Sequence, residues 1–262
     1  MNDVFDWRRI ALLLRNDIVG GYRTWLTRSA GVAAFVLLIP IINALAHEFP
    51  GGRAYFWWFY VLLFAWGAGT ASSALAELHD RTRNEAYLLL PASAIEKIVS
   101  RFALVTLGFF VFFIVFATPL ALATQAIDAW TLGRTVGWFP RTGAGLEWVW
   151  IGNFLVVQSV FFAGGAWFRK MHFVKIAASL VALYFSALAF AYVVAYLFLP
   201  QFRDGLGMSF SPGDFDPIVE GYPAVIAAVW WGLRVLYFAA LPVLSVYVAW
   251  LRVKEAQVSH GV

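Results

Sequence analysis

From residue 6 to 19, Trp7, Ile10, Ala11, Leu14 and Ile18 recur at three- and four-residue intervals, with Arg8, Arg9, Arg15 and Asn16 between them. That period belongs to a helix with one apolar stripe, and it predicts an amphipathic helix lying along a membrane surface. Gly20 and Gly21 are expected to end it. Beyond Arg28 the pattern changes to long apolar runs that predict spans at 29–46, 54–76, 102–124, 148–168 and 176–199. Pro40 is expected to kink the first. The last run, 223–251, would reach about 43 Å as one helix, against a hydrocarbon core of about 30 Å. The sixth span is therefore expected from near Trp231 to Leu251, with 200–231 forming an external loop or re-entrant segment.

Two stretches carry finer information. Tyr55 to Tyr60 is an aromatic cluster suited to the outer interface, whereas 67–76 is nearly all Gly, Ala, Ser and Thr, which lets another helix come close. Between spans two and three, segment 77–101 runs from a charged half into Tyr87, Leu88, Leu89 and Leu90, then Pro91. Proline stops a helix there. Ser93 with Glu96 three positions on predicts a capping box, and Ile95, Ile98, Val99 and Phe102 carry the helical spacing into span three. An apolar knob bracketed by charges suits docking into a partner's groove; resting on the membrane surface is the other reading.

Charge orients the pattern. Arg8, Arg9, Arg15, Arg23, Arg28, Arg81, Arg83, Lys97, Arg101, Arg169, Lys170, Lys175, Arg252 and Lys254 fall on one side of the six spans, and only Arg53, Arg134, Arg141 and Arg203 on the other. The richer side is cytoplasmic by the positive-inside rule, which puts both termini in the cytoplasm. Composition agrees: 62% of the 262 residues are hydrophobic and 13% charged, so a water-facing surface could not be built around a core. The fold class expected is an all-α integral membrane protein. It has six transmembrane helices and an N-terminal amphipathic interfacial helix. The divisions are 1–28 (amphipathic helix and linker), 29–251 (one transmembrane domain) and 252–262 (cytoplasmic tail). The net charge of +4 is spread over juxtamembrane clusters that fit anionic lipid headgroups rather than nucleic acid. No cysteine is present, so thiolate metal sites and disulfides are excluded. Residues 1–28 lack the apolar core and cleavage site of a signal peptide.

Candidate chemistry is sparse. His47, His79, His172 and His260 show no metal-ligand spacing and read as solvated loop histidines, so no metal site is expected. Asp214, Asp216 and Glu220 lack the ligand alternation of a calcium loop and read as a solvated turn. Arg234, inside an apolar run, reads as an interfacial anchor stacking on Trp230 or Tyr237, with an intramembrane functional role as the other reading. Asn153, Gln158 and Ser159 are polar near the middle of span four. They either line a substrate path or bond between helices, and Gly164 and Gly165 nearby predict close helix contact. Phe109, Phe110, Phe112, Phe113 and Phe116 either wall an amphiphile's path or face lipid.

The amphipathic first helix, the six spans with both ends inside, the structured loop between spans two and three and the external segment before span six resemble the ABC-2-type permeases. Leu89-Leu90-Pro91-Ala92-Ser93 through Glu96-Lys97 is similar to a motif of one bacterial branch of that family. The resemblance implies that residues 1–28 hold a connecting helix and that loop 77–101 holds a coupling helix seated on an ATP-binding subunit. Glu85, Tyr87 and Leu88 would then be the contacts, flanked by Arg81 and Arg83. It also implies a second permease copy, most simply a homodimer, in a bacterial inner membrane. The chain has no phosphate-binding G-x-x-x-x-G-K-[ST] loop. It is therefore expected to be no enzyme and to hold no cofactor, with ATP and Mg2+ on the separate ATPase subunit. The function expected is the permease half of an ATP-driven exporter of an amphiphile such as a lipid, peptide or drug-like molecule. An intramembrane lipid-modifying enzyme built on His79, Asp80 and Glu85, or a non-transporting assembly or immunity protein, are the alternatives.

Overall fold

A computed structural model of the chain describes residues 5–46, 52–79, 91–133, 148–198 and 223–259. All the regular structure among them is helical. The helices are α1 (Trp7–Ala46), α2 (Gly52–Ser73), α3 (Ala94–Ala103), α4 (Phe109–Leu132), α5 (Trp148–Trp167), α6 (His172–Phe198), α7 (Pro223–Val235) and α8 (Leu241–Ser259). A short 3-10 turn, Ala76–His79, follows α2. Helices α3 and α4 are joined without a break by a π turn, Leu104–Gly108, and α7 and α8 by another, Leu236–Ala240. Five helical stretches among the described residues are long and apolar enough to cross a membrane: Trp7–Asn43, Ala94–Thr131, Val149–Trp167, His172–Val194 and Pro223–Gln257. The chain is an integral membrane protein on that ground. The 22-residue helix α2 runs beside them.

Two expectations about helix ends are corrected. Helix α1 runs unbroken for 40 residues through Gly20 and Gly21. Glycine ends a helix where a left-handed residue is needed, and the only described glycine with positive φ is Gly133, which caps α4. Gly20 and Gly21 instead hold helical φ, at a propensity cost of about 1 kcal/mol each, and the first amphipathic helix and the first span are one rod. Of its apolar stripe, Ile10 is buried and Leu14 half-buried, as are Leu13 and Asp17 beside them, while Trp7 and Ile18 face outward.

The second correction concerns the last apolar run. The chain is helical from Pro223 to Ser259, with no reversal near Trp231, so 223–231 is not re-entrant; 200–222 lies outside the described residues. Excess length over the bilayer gave no physical reason to break, because a helix satisfies its own backbone at any depth. Pro242 is the residue that should disturb this rod. The π turn just before it widens the backbone where the proline ring would crowd the carbonyl of residue 238.

Helix α5 sits at the centre, packed by α8, α2 and α6, while α1 lies along α3 and α4. One apolar cluster joins the end of α2 (Ala71), the turn after it (Leu75), α3 (Ile98), α5 (Phe162), α6 (Ile176) and α8 (Val253). A second joins Val36, Phe59, Phe109, Phe113 and Phe154. Phe109 and Phe113 are thus core residues, and Phe112 and Phe116 pack edge-on to Trp66 at 5.8 and 5.4 Å, so these rings do not simply face lipid. The small-residue half of α2 packs on protein as expected. The Gly165 Cα meets the Ser72 carbonyl so closely that no Cβ fits, and Gly164 is equally crowded by the Ile176 side chain.

Candidate functional site

The predicted docking residues Arg81, Arg83, Glu85, Tyr87 and Leu88 lie outside the described residues, as do Asp80, Asp214, Asp216, Glu220, His47 and His260. What the structure describes is the ground from which segment 80–90 leaves and to which it returns. The chain enters it at His79, after the 3-10 turn, and leaves it at Pro91.

Both ends are tied down by polar contacts. On the returning side the capping box forms as the sequence predicts. Glu96 N donates to Ser93 Oγ at 3.2 Å and Ser93 N donates to Glu96 Oε2 at 2.7 Å. The second carboxylate oxygen, Glu96 Oε1, accepts from Asp6 N at 2.8 Å. The residue just before α1 and the first turn of α3 thus share one buried carboxylate. Glu96 and Lys97 are fully buried at this junction.

On the entering side Arg101 is the tie. Its Nε lies 2.7 Å from Asp17 Oδ2, its Nη2 donates to Glu77 Oε2 at 2.7 Å, and its Nη1 donates to the Ala74 carbonyl at 2.9 Å. One planar fork therefore joins α1, the turn after α2, and α3. Its side chain and that of Asp17 are only 15% and 16% exposed, so water screens the pair weakly.

His79 closes the ring. Its Nε2 is 3.1 Å from the Gly165 carbonyl, and its ring stacks on His172 at 5.5 Å with planes 21° apart. Burial pushes the His79 imidazole below its ordinary value. The Gly165 hydrogen bond opposes that, and His172 and Arg169 add to the depression. Reading these two as solvated loop histidines is therefore corrected. His79 ends the 3-10 turn after α2 and His172 opens α6, positions far apart in sequence whose pairing no local pattern encodes. Among the described residues no group of three or more His, Asp or Glu is placed to hold a metal. Nearby, the Arg252 guanidinium carbon lies 3.7 Å over Trp167 and its Nη1 bonds Glu255 at 2.6 Å, fastening α8 to the end of α5.

The path residues expected on α5 differ in burial and bonding. Asn153 is half-buried, and Ser159 is fully buried and donates to its own helix at Val156 O, 2.8 Å. Gln158 is fully buried, its amide meeting Gly67, and neither amide atom finds a hydrogen bond. Arg234 stacks on Trp230 at 5.0 Å, as the anchoring reading expects, and on Trp231 at 5.7 Å; Tyr237 has no such contact. Asp128, 1% exposed near the end of α4, is a buried charge that the sequence reading passed over.

A groove of about 720 Å³ opens on the side of the bundle between α1, α2 and the start of α6. Arg28, Gly31, Trp66, Gly69, Ser73 and His172 line it; none of Asn153, Gln158 or Ser159 does. Comparison with known proteins gives no match: no family model fits the sequence, and no curated protein or solved structure is similar to it.

Proposed function

We propose that this chain is the membrane-spanning permease subunit of an ATP-driven exporter, with segment 80–90 as the handle on which a separate ATPase subunit pulls. The observation that carries the reading is the anchoring of both ends of that segment. A flexible linker would deliver no force. Here the entry is locked by Arg101 to Asp17 and Glu77 and by His79 to Gly165, and the exit by Glu96 to Ser93 and Asp6. A displacement of the handle therefore reaches α1, α2, α3 and α5 together.

With α2 counted, the spans number six, both termini face the cytoplasm, and the long first helix begins there. One such unit cannot enclose a path, so two copies assemble with two ATPase subunits, most simply by two-fold symmetry. Arg81, Arg83, Glu85, Tyr87 and Leu88 form the contact with the ATPase. ATP and Mg2+ are held on that subunit, and the cargo is amphiphilic. The bacterial inner membrane is the setting.

Purification of the full-length chain from its native membrane, with any P-loop ATPase that accompanies it identified and assayed, tests the reading. A complex that survives purification, and in which ATP hydrolysis exceeds that of the isolated ATPase, is expected. Absence of a complex, or a complex with unaltered hydrolysis, removes the transporter reading and leaves an enzyme or assembly protein.

A further inference from the structure

The groove between α1, α2 and α6 matches neither the handle nor the buried polar residues of α5. Its walls are apolar or small where the helices are deepest: Gly31 on α1, Trp66 and Gly69 on α2, Phe173 on α6. A Cβ built on Gly31 or Gly69 meets nothing within 4 Å, so both glycines face open space. Val174 and Phe173, both exposed and apolar, line its α6 side. A molecule reaches such a slot through the hydrocarbon, not through water.

The groove carries charge at one place. Arg28, one turn before Gly31, is exposed into it, has no ion-pair partner among the described residues, and no carboxylate lines the groove with it. The hydroxyl protons beside it are committed: Thr27 donates to Arg23 O, Thr70 to Gly67 O, Ser72 to Gly69 O and Ser73 to Thr70 O. The donors left include the guanidinium, the Trp66 indole N–H and the first-turn amides of α6, which have no acceptor within their helix, and His172 Nδ1 in the same lining is buried without a hydrogen bond. Met171, which leads into that turn, holds a left-handed φ of 53° with its side chain 67% exposed. Strain of that kind in a non-glycine residue concentrates at functional sites.

From this charge complementarity we infer that the groove is a binding site for one anionic glycerophospholipid, drawn from the leaflet that Arg28 faces. The phosphate sits on Arg28, and an acyl chain runs over Gly31 and Gly69 against Trp66. The volume lies within the range of about 300–1,000 Å³ typical of small-molecule sites. The site requires only that the chain spans a bilayer, so it stands whether or not the protein transports anything.

The test uses the full-length protein reconstituted in vesicles of equal phosphatidylglycerol and phosphatidylcholine, extracted gently, with retained lipids counted by native mass spectrometry. The wild-type chain is expected to hold phosphatidylglycerol in about fivefold excess, the worth of one arginine near a membrane surface. Two variants should each return the ratio to that of the vesicle. Arg28→Gln removes the charge. Gly31→Phe with Gly69→Phe fills the slot; because both positions are open, the thermal unfolding midpoint should hold, and the single Gly31→Leu change gives a milder plug. No excess in the wild type overturns the site, and so does an excess that persists in the plugged chain, which would place recognition on the general basic surface. Loss in the plugged chain together with persistence in Arg28→Gln overturns the assignment of the headgroup.

Discussion

Arg101 Nε stands 2.7 Å from Asp17 Oδ2, and through that pair the first helix of the chain is fastened to the last turn of the third. The same guanidinium reaches Glu77 and the Ala74 carbonyl, so it answers two carboxylates at once. Replacing Arg101 by Gln leaves two half-buried carboxylates facing each other; Asp17→Asn leaves Arg101 still paired with Glu77. Truncating one side of such a pair costs about 2–4 kcal/mol. Arg101→Gln is expected to lower the unfolding midpoint in detergent clearly more than Asp17→Asn. Equal effects would mean that the fork does not act as a shared tie.

Helix continuity in α1 and crowding at α5 give opposite signs for the same substitution. Gly20 faces open space in a helical conformation, so Gly20→Ala should raise stability by about 0.5–1 kcal/mol. At Gly165 the Cβ would strike the Ser72 carbonyl, a backbone atom that cannot rotate away, and Gly165→Ala should cost about 1–3 kcal/mol. Thermal unfolding of the two variants reads both. A loss at Gly20 would restore the helix break that the glycine pair suggested.

Burial of the His79 imidazole should cost stability in acid. Its folded pKa lies below the ordinary value, so the unfolded chain binds the proton first as pH falls through about 6.5. The stability it contributes is present above that pH and is lost as the pH drops toward the folded value. The unfolding midpoint of the wild type should fall more steeply between pH 7.5 and about 5 than that of His79→Gln. Parallel curves would show that this imidazole does not titrate with folding.

The handle can be tested apart from the fold. Tyr87→Asp with Leu88→Asp should abolish capture of the ATPase without moving the unfolding midpoint, since the anchoring contacts are made by other residues. Capture at the wild-type level would show that the partner binds elsewhere or not at all.

How far the sequence revealed this molecule follows from range. The capping box at Ser93 and Glu96 was readable because both partners lie within one turn, and so was the Arg234–Trp230 stack. The small-residue half of α2 announced close packing because lack of volume is itself a signal, and Gly165 against Ser72 is its result. Segments 29–46 and 223–251 were harder. Their helices extend past the apolar run, and the sequence marks where hydrocarbon ends rather than where a helix ends. Least legible was the polar ring. His79 with His172, Asp17 with Arg101 and Asp6 with Glu96 join segments remote from each other, and none follows a spacing rule.

The π turn at Leu104–Gly108 has a consequence for how one helix can serve two neighbourhoods. A π turn is one surplus residue in an α-helix, and a residue is about 100° of rotation. The stretch from Ala94 to Leu132 is therefore a rod whose two halves are out of phase by that angle, like a shaft carrying two offset cams. Below the offset, Glu96 meets the Asp6 amide and Arg101 the Asp17 carboxylate; above it, Phe109, Phe113 and Leu120 meet the aromatic core. Excising one residue between 104 and 108 would straighten the shaft, and whichever half stayed seated, the other would turn its packed edge toward the lipid tails.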